Sequence, residues 1–392
     1  MIVDYTPDSV KLFAKTYLFD HKKPSLALCI WVVVPVRNEA HHLVQTLESL
    51  RLQQDTFGQP LDPTLYEVLV LVNNCTDASL AVAQCYQKRY PYFSLHLADI
   101  QLPTPKANIG TVRRLLMDEA HRRLTNVGNR EGIIASTDGD TVVDPQWLWH
   151  IMAEIEQGVD AVGGRILTHP DKNPVRFFHL RDVTYRTLVA RLEAQLDPVP
   201  HDPWPRHFQY FGANLAVTYA MYEKAGRLPE VPYLEDEAFY KALLRVDARV
   251  RQSPLVRVIT SARMQGRVAV GFSEQLRCWA TIHKNGQYQL AEPAGAWADK
   301  FAARYQLRTI WANNWADLSE QALTEIATQL CISANWLCEI VSDYQCFGEL
   351  WQIIEQQMID KGVWVKRWPL MPIDEAIAEL RKMGVAATGR RV

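Results

Sequence analysis

The chain has 392 residues, 42 basic and 44 acidic, and a formal net charge of −2. Its apolar content of 48% is that of a globular protein, and its length allows two or three domains. The balanced charge gives no electrostatic reason to expect nucleic acid as a partner. Seven cysteines without a C-x-x-C pair argue against a zinc site or a disulfide framework and fit a reducing compartment.

The N-terminal residues lack the apolar core and the cleavage site of a signal peptide. The most apolar run, residues 26–36, is shorter than the ~20 residues that a membrane-spanning helix needs. We therefore expect a cytoplasmic protein without a transmembrane segment, and contact with a membrane surface stays open.

Strands and helices alternate in the first half of the sequence. Apolar runs predict strands at residues 28–34, 66–72, 93–98 and 132–137. Apolar residues at helical spacing, such as Ala40, Leu43, Val44, Leu47 and Leu50, predict helices at residues 40–50, 78–89 and 109–124. This order predicts an α/β fold with a mostly parallel central sheet flanked by helices.

The second half is less regular. Asp144 and Pro145 are expected to cap and begin a helix. Further strands are expected at residues 159–166, within 208–218 and at 256–259, a helix at 234–244, and mixed structure at 169–206. Helical spacing at residues 318–344 and 350–358 predicts a mainly helical end. We place an α/β domain at residues 1–285 and a mainly helical C-terminal region at residues 286–392.

The sharpest motif is Asp138-Gly139-Asp140, directly after the strand predicted at residues 132–137. Ligands of open α/β sheets bind beyond the carboxyl ends of the strands. Two carboxylates there can hold Mg²⁺ or Mn²⁺, which often share their coordination with substrate phosphates. The alternative is a polar turn, but the preceding apolar strand favours a metal site.

Polar groups also follow the other strands. Pro35, Asn38 and Glu39 come after the first strand, where they could meet a nucleotide or simply begin the next helix. Asn74 follows the second strand and could hydrogen-bond a base. Lys106 precedes the third helix and could meet a phosphate, although a solvated lysine explains it equally well.

Two clusters lie further along the chain. Glu235-Asp236-Glu237 begins a helix, where acidic residues commonly do no more than complement the helix dipole. In the functional interpretation, Asp236 is a general base for an attacking hydroxyl. Arg263 and Arg267 follow a strand and could hold a leaving diphosphate, whereas a basic surface turn is the plainer interpretation.

Taken in order, these segments resemble the family 2 glycosyltransferases with a GT-A fold. VVVPVRNE resembles the P-x-x-N-E turn of the family, and VLVLVNNCTDAS its second-strand nucleotide segment. STDGDTVVDPQWL resembles the D-x-D strand and the helix after it, while GANLAV and YLEDEAF resemble the acceptor-side strand and the E-D motif. The resemblance covers about residues 25 to 275, and the ordered set is more specific than any single piece.

The resemblance implies a nucleotide-diphospho-sugar as donor, with Pro35, Asn38 and Glu39 bordering the nucleotide. Asn74 would contact the base, which is typically uracil, so a UDP-sugar is the expected donor. The family often has an aspartate where this chain has Asn73-Asn74, which is a departure. The Q-x-x-R-W motif of processive members is not evident, which argues against a polysaccharide synthase.

The implied reaction is a metal-dependent, inverting sugar transfer to a hydroxyl acceptor. Asp138 and Asp140 would fix the metal and the diphosphate, and Asp236 would be the base. Arg263 and Arg267 are candidate helpers for the leaving diphosphate.

Two alternatives stay open at this point. A sugar nucleotidyltransferase would usually want a glycine-rich phosphate loop, and the turn PVRNEAHH has no glycine. A non-catalytic binding protein could retain the fold, but acidic residues at both motifs weigh against it.

Overall fold

A computed structural model describes residues 18–19, 24–169, 173, 175–261, 271–315 and 319–388. The chain divides into two compact units. The first comprises the described residues within Met1–Pro170, Gln209–Leu243 and Arg249–Glu274, and the second those within Asp171–Phe208, Leu244–Ala248 and Gln275–Val392. The second unit thus also draws on residues before 285, and a domain boundary at residue 285 stays a prediction.

The elements follow one another along the chain. The strands are β1 (Ile30–Val36), β2 (Tyr66–Asn73), β3 (Leu95–Ile100), β4 (Ile133–Ser136), β5 (Thr141–Val143), β6 (Ala161–Thr168), β7 (Leu215–Thr218), β8 (Val250–Thr260), β9 (Leu290–Ala291) and β10 (Met371–Pro372). The helices are α1 (Leu43–Arg51), α2 (Ser79–Arg89), α3 (Ile109–Asn126), α4 (Trp147–Glu156), α5 (Val175–Leu196), α6 (Tyr219–Lys224), α7 (Glu235–Arg245), α8 (Phe272–Lys284), α9 (Ala294–Ala312), α10 (Glu320–Leu330), α11 (Ala334–Ile340), α12 (Phe347–Lys361), α13 (Val363–Arg367) and α14 (Ile373–Thr388).

The first unit is built on an eight-stranded sheet in the order β3-β2-β1-β4-β7-β6-β8-β5. β1 pairs in parallel with β2 and β4, β2 with β3, and β6 with β8. β7 runs antiparallel to β4 and β6, and β5 runs antiparallel to β8. The predicted α/β architecture with a mostly parallel sheet is confirmed.

The central strands are apolar because both faces of the sheet are covered. Every residue of β1 and β2 is buried. Leu43, Leu47 and Leu50 of α1 pack into the same core. Val44 was predicted on this face but is 48% exposed, because the helix begins only at Leu43 and the buried stripe follows Leu43, Leu47 and Leu50.

The predicted helix cap at Asp144 is wrong in its position. The helix α4 begins at Trp147, and the residue before it, Gln146, makes no capping hydrogen bond with its side chain. Asp144 instead shapes the preceding turn, since its Oδ1 accepts the N–H of Gln146 at 3.0 Å. Its carbonyl accepts the N–H of Trp147, also at 3.0 Å.

The largest difference from the sequence prediction is α5, a 22-residue helix where mixed structure was expected. Charged residues at its end hide the helical pattern, because Glu193 in the helix and Asp197 just after it are paired with arginines. The Asp197 carboxylate, just after the helix, is fully buried and bonds both Arg304 and Arg308 of α9. Glu193 bonds Arg304 and Arg206. A pattern of apolar positions alone could not reveal this face.

The predicted helical character of the C-terminal region is confirmed. Helices α9 to α13 enclose one apolar cluster, and parts of α5, α9 and α14 enclose a second. Within the described ranges, no helix is both long enough and apolar enough to cross a bilayer.

Helix α3 carries a buried arginine near its C-terminal end. Arg123 is 2% exposed and donates to the Glu67 carboxylate of β2 at 3.0 Å. Its guanidinium also lies 4.5 Å from the centre of the Trp31 ring. The charge is therefore paired and covered on the amino-terminal side of β1 and β2.

A groove of about 530 Å³ lies beside the C-terminal half of α3 and includes His121 and Tyr219 in its lining. The two rings are stacked with centroids 4.1 Å apart. Burial is the main reason that the pKa of His121 lies below its ordinary value, and Arg227 lowers it further. Glu223 and Asp118 act in the opposite direction but do not outweigh burial.

This lowered pKa predicts an acid-dependent loss of stability. The folded state binds a proton at His121 less tightly than the unfolded state, so the stabilisation is complete above the unfolded pKa of about 6.5 and is lost as the pH falls below it. His121→Phe keeps the stacked ring but removes the titration. Between about pH 7 and about pH 5, denaturant unfolding of the variant should therefore give a flatter pH dependence than the wild type. Equal slopes would contradict the assignment to His121; the remaining slope includes His150, whose pKa burial also lowers.

Candidate functional site

Pro35, Asn38, Glu39, Asn74, Asp138 and Asp140 lie at or just after the carboxyl ends of parallel strands. β1, β2 and β4 are neighbours and end at Val36, Asn73 and Ser136. The turns after them therefore meet at one edge of the sheet. β7 runs the other way, and its first residue pairs with Ser136, so the segment before β7 reaches the same edge.

A buried arginine that the sequence analysis did not single out joins these segments. Arg113 lies in the second turn of α3, and its side chain is 4% exposed. Its Nη2 donates to Oδ1 of Asp138 at 2.8 Å, and its Nε to Oε1 of Glu235 at 3.0 Å. Its Nη1 bonds Ser136 Oγ and donates to the carbonyl of Gly212 at 2.9 Å. One guanidinium thus links β4, the segment before β7 and the start of α7.

The charge of this guanidinium is stable despite its burial. Burial lowers the pKa of Arg113, but the charges of Asp138 and Glu235 outweigh burial and hold the pKa above its ordinary value. The Glu235 side chain is 6% exposed, whereas that of Asp138 is 34% exposed. The cation is therefore paired with one buried carboxylate and with one that also faces solvent.

Arg113 carried a signal in the sequence. Val112, Leu116, Met117 and Ala120 form the buried face of α3, and Arg113 lies among them. An arginine on an apolar helix face, one turn after the helix start, indicates a buried charge that needs acidic partners.

Asp236 belongs to the same group of contacts. Its Oδ2 accepts the N–H of Gly212 at 2.9 Å, and its Oδ1 accepts the N–H of Glu237 at 2.8 Å. Gly212 also lies against Arg113, since a Cβ at this position would be 2.7 Å from the guanidinium carbon. The structure therefore brings together Asp138, Arg113 and Asp236, which come from three distant parts of the sequence.

The Asp138-Gly139-Asp140 turn packs tightly against the end of β1. A Cβ on Gly139 would come within 3.0 Å of Val36 Cγ2 and 3.3 Å of the Pro35 carbonyl oxygen. The Gly139 carbonyl accepts the hydroxyl of Thr46 at 3.1 Å. Asp138 and Asp140 are both partly buried. The glycine thus lets the two aspartates sit directly on the end of β1.

The donor set fits a shared metal site better than a closed one. In the described part of the chain, no group of three or more His, Cys, Asp or Glu side chains is arranged to hold a metal ion. Mg²⁺ commonly uses only one or two carboxylates and takes its other ligands from water and substrate phosphates. Asp138 and Asp140 therefore suit a metal whose coordination a diphosphate completes.

Asn38 and Asn74 shape the turns after β1 and β2. Both have positive φ, at 56° and 47°. Oδ1 of Asn38 accepts the N–H of Thr76 at 2.7 Å, so this residue bridges two turns. It is not a helix cap, because α1 begins only at Leu43. The amide of Asn74 makes two hydrogen bonds with the backbone of Leu102, at 3.0 and 3.1 Å.

The remaining predicted residues differ in placement. Glu39 is buried, and its N–H donates to Ser79 Oγ at 2.8 Å. Lys106 is exposed in the loop before α3, and Asn108 rather than Lys106 caps that helix. Arg263 and Arg267 lie outside the described residues. Roles in nucleotide binding stay predictions for all of these residues.

The model of the family "Glycosyl transferase family 2" matches residues 31–211. A comparison with curated protein sequences gives no match.

Several solved structures are similar to this chain. A Pyrobaculum calidifontis mannosyltransferase in complex with GDP-Man and Mn²⁺ has 17% identity, with 91% of this chain and 93% of that chain covered and a TM-score of 0.44. S. aureus TarS 1–349 in complex with UDP has 17% identity, 85% and 88% coverage, and a TM-score of 0.42. M. tuberculosis glucosyl-3-phosphoglycerate synthase with Mg²⁺ and UDP has 14% identity, 68% and 85% coverage, and a TM-score of 0.36. Likenesses at this level assign neither a donor nor an acceptor to this chain.

Residues 31–211 match the model of glycosyl transferase family 2, and both the family and the enzyme class predicted from the sequence are confirmed.

Proposed function

We propose that this chain transfers a sugar from a nucleotide-diphospho-sugar to a hydroxyl acceptor, with a divalent metal and with inversion at the anomeric carbon. The observation that carries the proposal is the convergence on Arg113 of two acidic segments. One contains Asp138 and the other contains Asp236, and both lie at the carboxyl edge of a family 2 domain.

The donor half of the site is the turn after β4. Asp138 and Asp140 would hold Mg²⁺ or Mn²⁺ on the diphosphate, and the bound metal would neutralise charge on the leaving group. The turns after β1 and β2 would border the nucleotide, with Pro35, Glu39 and Asn74 nearest to it. To contact a base, the Asn74 amide would have to exchange its bonds to Leu102 for bonds to the ligand.

The acceptor half is the start of α7. The carboxylate of Asp236 would take the proton of the acceptor hydroxyl as its oxygen attacks the anomeric carbon. The new bond joins that oxygen to the anomeric carbon, and the bond to the diphosphate oxygen breaks. The leaving nucleoside diphosphate carries away the electron pair. Two backbone N–H groups orient the Asp236 carboxylate, which prepares it for this task.

We also propose that the protein works in the cytoplasm. All seven cysteines are free thiols, which supports a reducing compartment such as the cytoplasm. The acceptor is a hydroxyl compound, and a UDP-sugar is the expected donor.

Donor binding can be tested without knowing the acceptor. A ligand that binds only the native state stabilises it by about 2.7 kcal/mol at a concentration of about 100 times Kd. In a thermal-shift screen of UDP-, GDP- and TDP-sugars, we expect at least one donor to raise the Tm with Mn²⁺ and to raise it much less with EDTA. The absence of any metal-dependent shift would overturn the proposal.

Asp236→Asn tests the base. The asparagine oxygen can still accept a backbone N–H, but the side chain no longer takes a proton at neutral pH. We expect the rate of sugar transfer to fall by about 10²- to 10⁴-fold. The metal-dependent rise in Tm on nucleotide binding should be retained. Glu237→Gln is the matched control, since Glu237 is the next residue and pairs with Lys241 on the helix surface. Retained transfer in Asp236→Asn, or lost donor binding, would remove Asp236 from this role.

A further inference from the structure

The contacts of Arg113 are more directional than neutralising nearby carboxylates would require. The guanidinium is a rigid plane, and its N–H groups point in fixed directions. Here Nε reaches Glu235, Nη2 reaches Asp138, and Nη1 reaches Ser136 and Gly212. These four partners come from three separate segments of the chain, so the plane sets the distance between those segments.

We propose that Arg113 is a positioning residue that holds the metal-ligating carboxylate and the start of α7 in one fixed arrangement. The inference rests on the proposed function and extends it to a residue that touches neither donor nor acceptor. Arg113 acts on the metal through Asp138, and on the base through Gly212 and Glu235.

The action on the metal follows from the contacts of Asp138. Arg113 bonds Oδ1 of this aspartate, and among the described residues it is the polar partner of that side chain. The bond holds one oxygen of a carboxylate whose side chain is still 34% exposed. Groups that orient a metal ligand typically contribute about 10- to 100-fold to metal affinity.

The action on the base follows from Gly212 and Glu235. The carbonyl of Gly212 accepts from Arg113, and its N–H donates to Asp236. Glu235, which Arg113 also bonds, is the residue directly before Asp236. A shift of the guanidinium therefore moves both the peptide that orients the base and the first residue of its helix.

Arg123 provides a matched control within the same helix. It is also buried and also paired with a buried carboxylate, but its partner Glu67 lies in β2 rather than at the carboxyl edge. Replacing either arginine by lysine keeps the positive charge and removes the planar fork. Both changes should lower the Tm, because each leaves polar groups without their bonds. Under the proposal, only the change at Arg113 also affects metal and nucleotide.

The experiment compares Arg113→Lys, Arg123→Lys and the wild type by titrating Mn²⁺ in the presence of UDP and, separately, GDP. We expect Arg113→Lys to fold, as judged by circular dichroism. It should need about 10- to 100-fold more Mn²⁺ for the nucleotide to raise the Tm by the same amount. Arg123→Lys should retain the wild-type Mn²⁺ requirement. Equal requirements in the two variants would overturn the positioning role and leave the proposed function intact. A wild type without a Mn²⁺-dependent shift would instead overturn the proposed function.

A double-mutant cycle then tests whether Arg113 acts through Asp138. Asp138→Asn should itself raise the Mn²⁺ requirement. If Arg113 acts through this carboxylate, Arg113→Lys should add little to the requirement in the Asp138→Asn background, since coupled residues are not additive. Full additivity would contradict action through Asp138.

Gly212→Ala disturbs the same contacts without removing a charge. The new Cβ would lie 2.7 Å from the Arg113 guanidinium carbon, so the guanidinium has to shift. We expect a higher Mn²⁺ requirement and a lower kcat for transfer in this variant. Gly384→Ala is the control, because among the described residues, apart from its chain neighbours and its own helix backbone, no atom lies within 4 Å of a Cβ there. Wild-type values in Gly212→Ala would show that the position of Arg113 does not matter.

Discussion

A buried, fully paired cation is the constraint on which the candidate site depends. Arg113 cannot lose its proton, so its burial requires acidic partners and hydrogen-bond acceptors around it. Asp138, Glu235, Ser136 and Gly212 supply them. Removing one partner of such a buried pair typically costs about 3–5 kcal/mol, because the other charge stays buried without compensation. The need to satisfy one charge therefore brings three segments of the chain to the same place.

Helix α3 links this site to the rest of the first unit. It carries a buried arginine near each end, with Arg113 at the carboxyl edge of the sheet and Arg123 paired with Glu67 of β2. Between them, Leu116, Met117 and Ala120 are buried in the fold. The apolar contacts hold the helix against the sheet, and the two charged groups fix its position at both ends. The site is thus held by a packed helix rather than by loops alone, which suits groups that must keep their geometry.

The sequence predicted β1 to β4 of the first half well, because short, largely apolar runs are typical of strands in a sheet whose two faces are covered. The helix α5 was missed for the opposite reason. Glu193 and Asp197 pair with arginines of α9. A search for regularly spaced apolar residues does not detect a helix face that is buried through such charged pairs. Val44 and Asp144 show a smaller effect: the type of element was predicted correctly, but its first residue lies a few positions away, since the turn before a helix depends on tertiary hydrogen bonds.

The sequence by itself determined the resemblance to the family, the strands β1 to β4 and the acidic motifs, because these depend on local order along the chain. Asp138, Asp140 and Asp236 were recognisable as candidates from their position after a strand or at a helix start. Only the tertiary structure decided that Asp138 and Asp236 are joined through Arg113 and Gly212, since contacts between residues so far apart in the chain leave no local pattern. The tertiary structure also decided that Asn38 and Asn74 shape turns through bonds to Thr76 and Leu102, because an asparagine with positive φ has the same letter whether it binds a ligand or its own backbone.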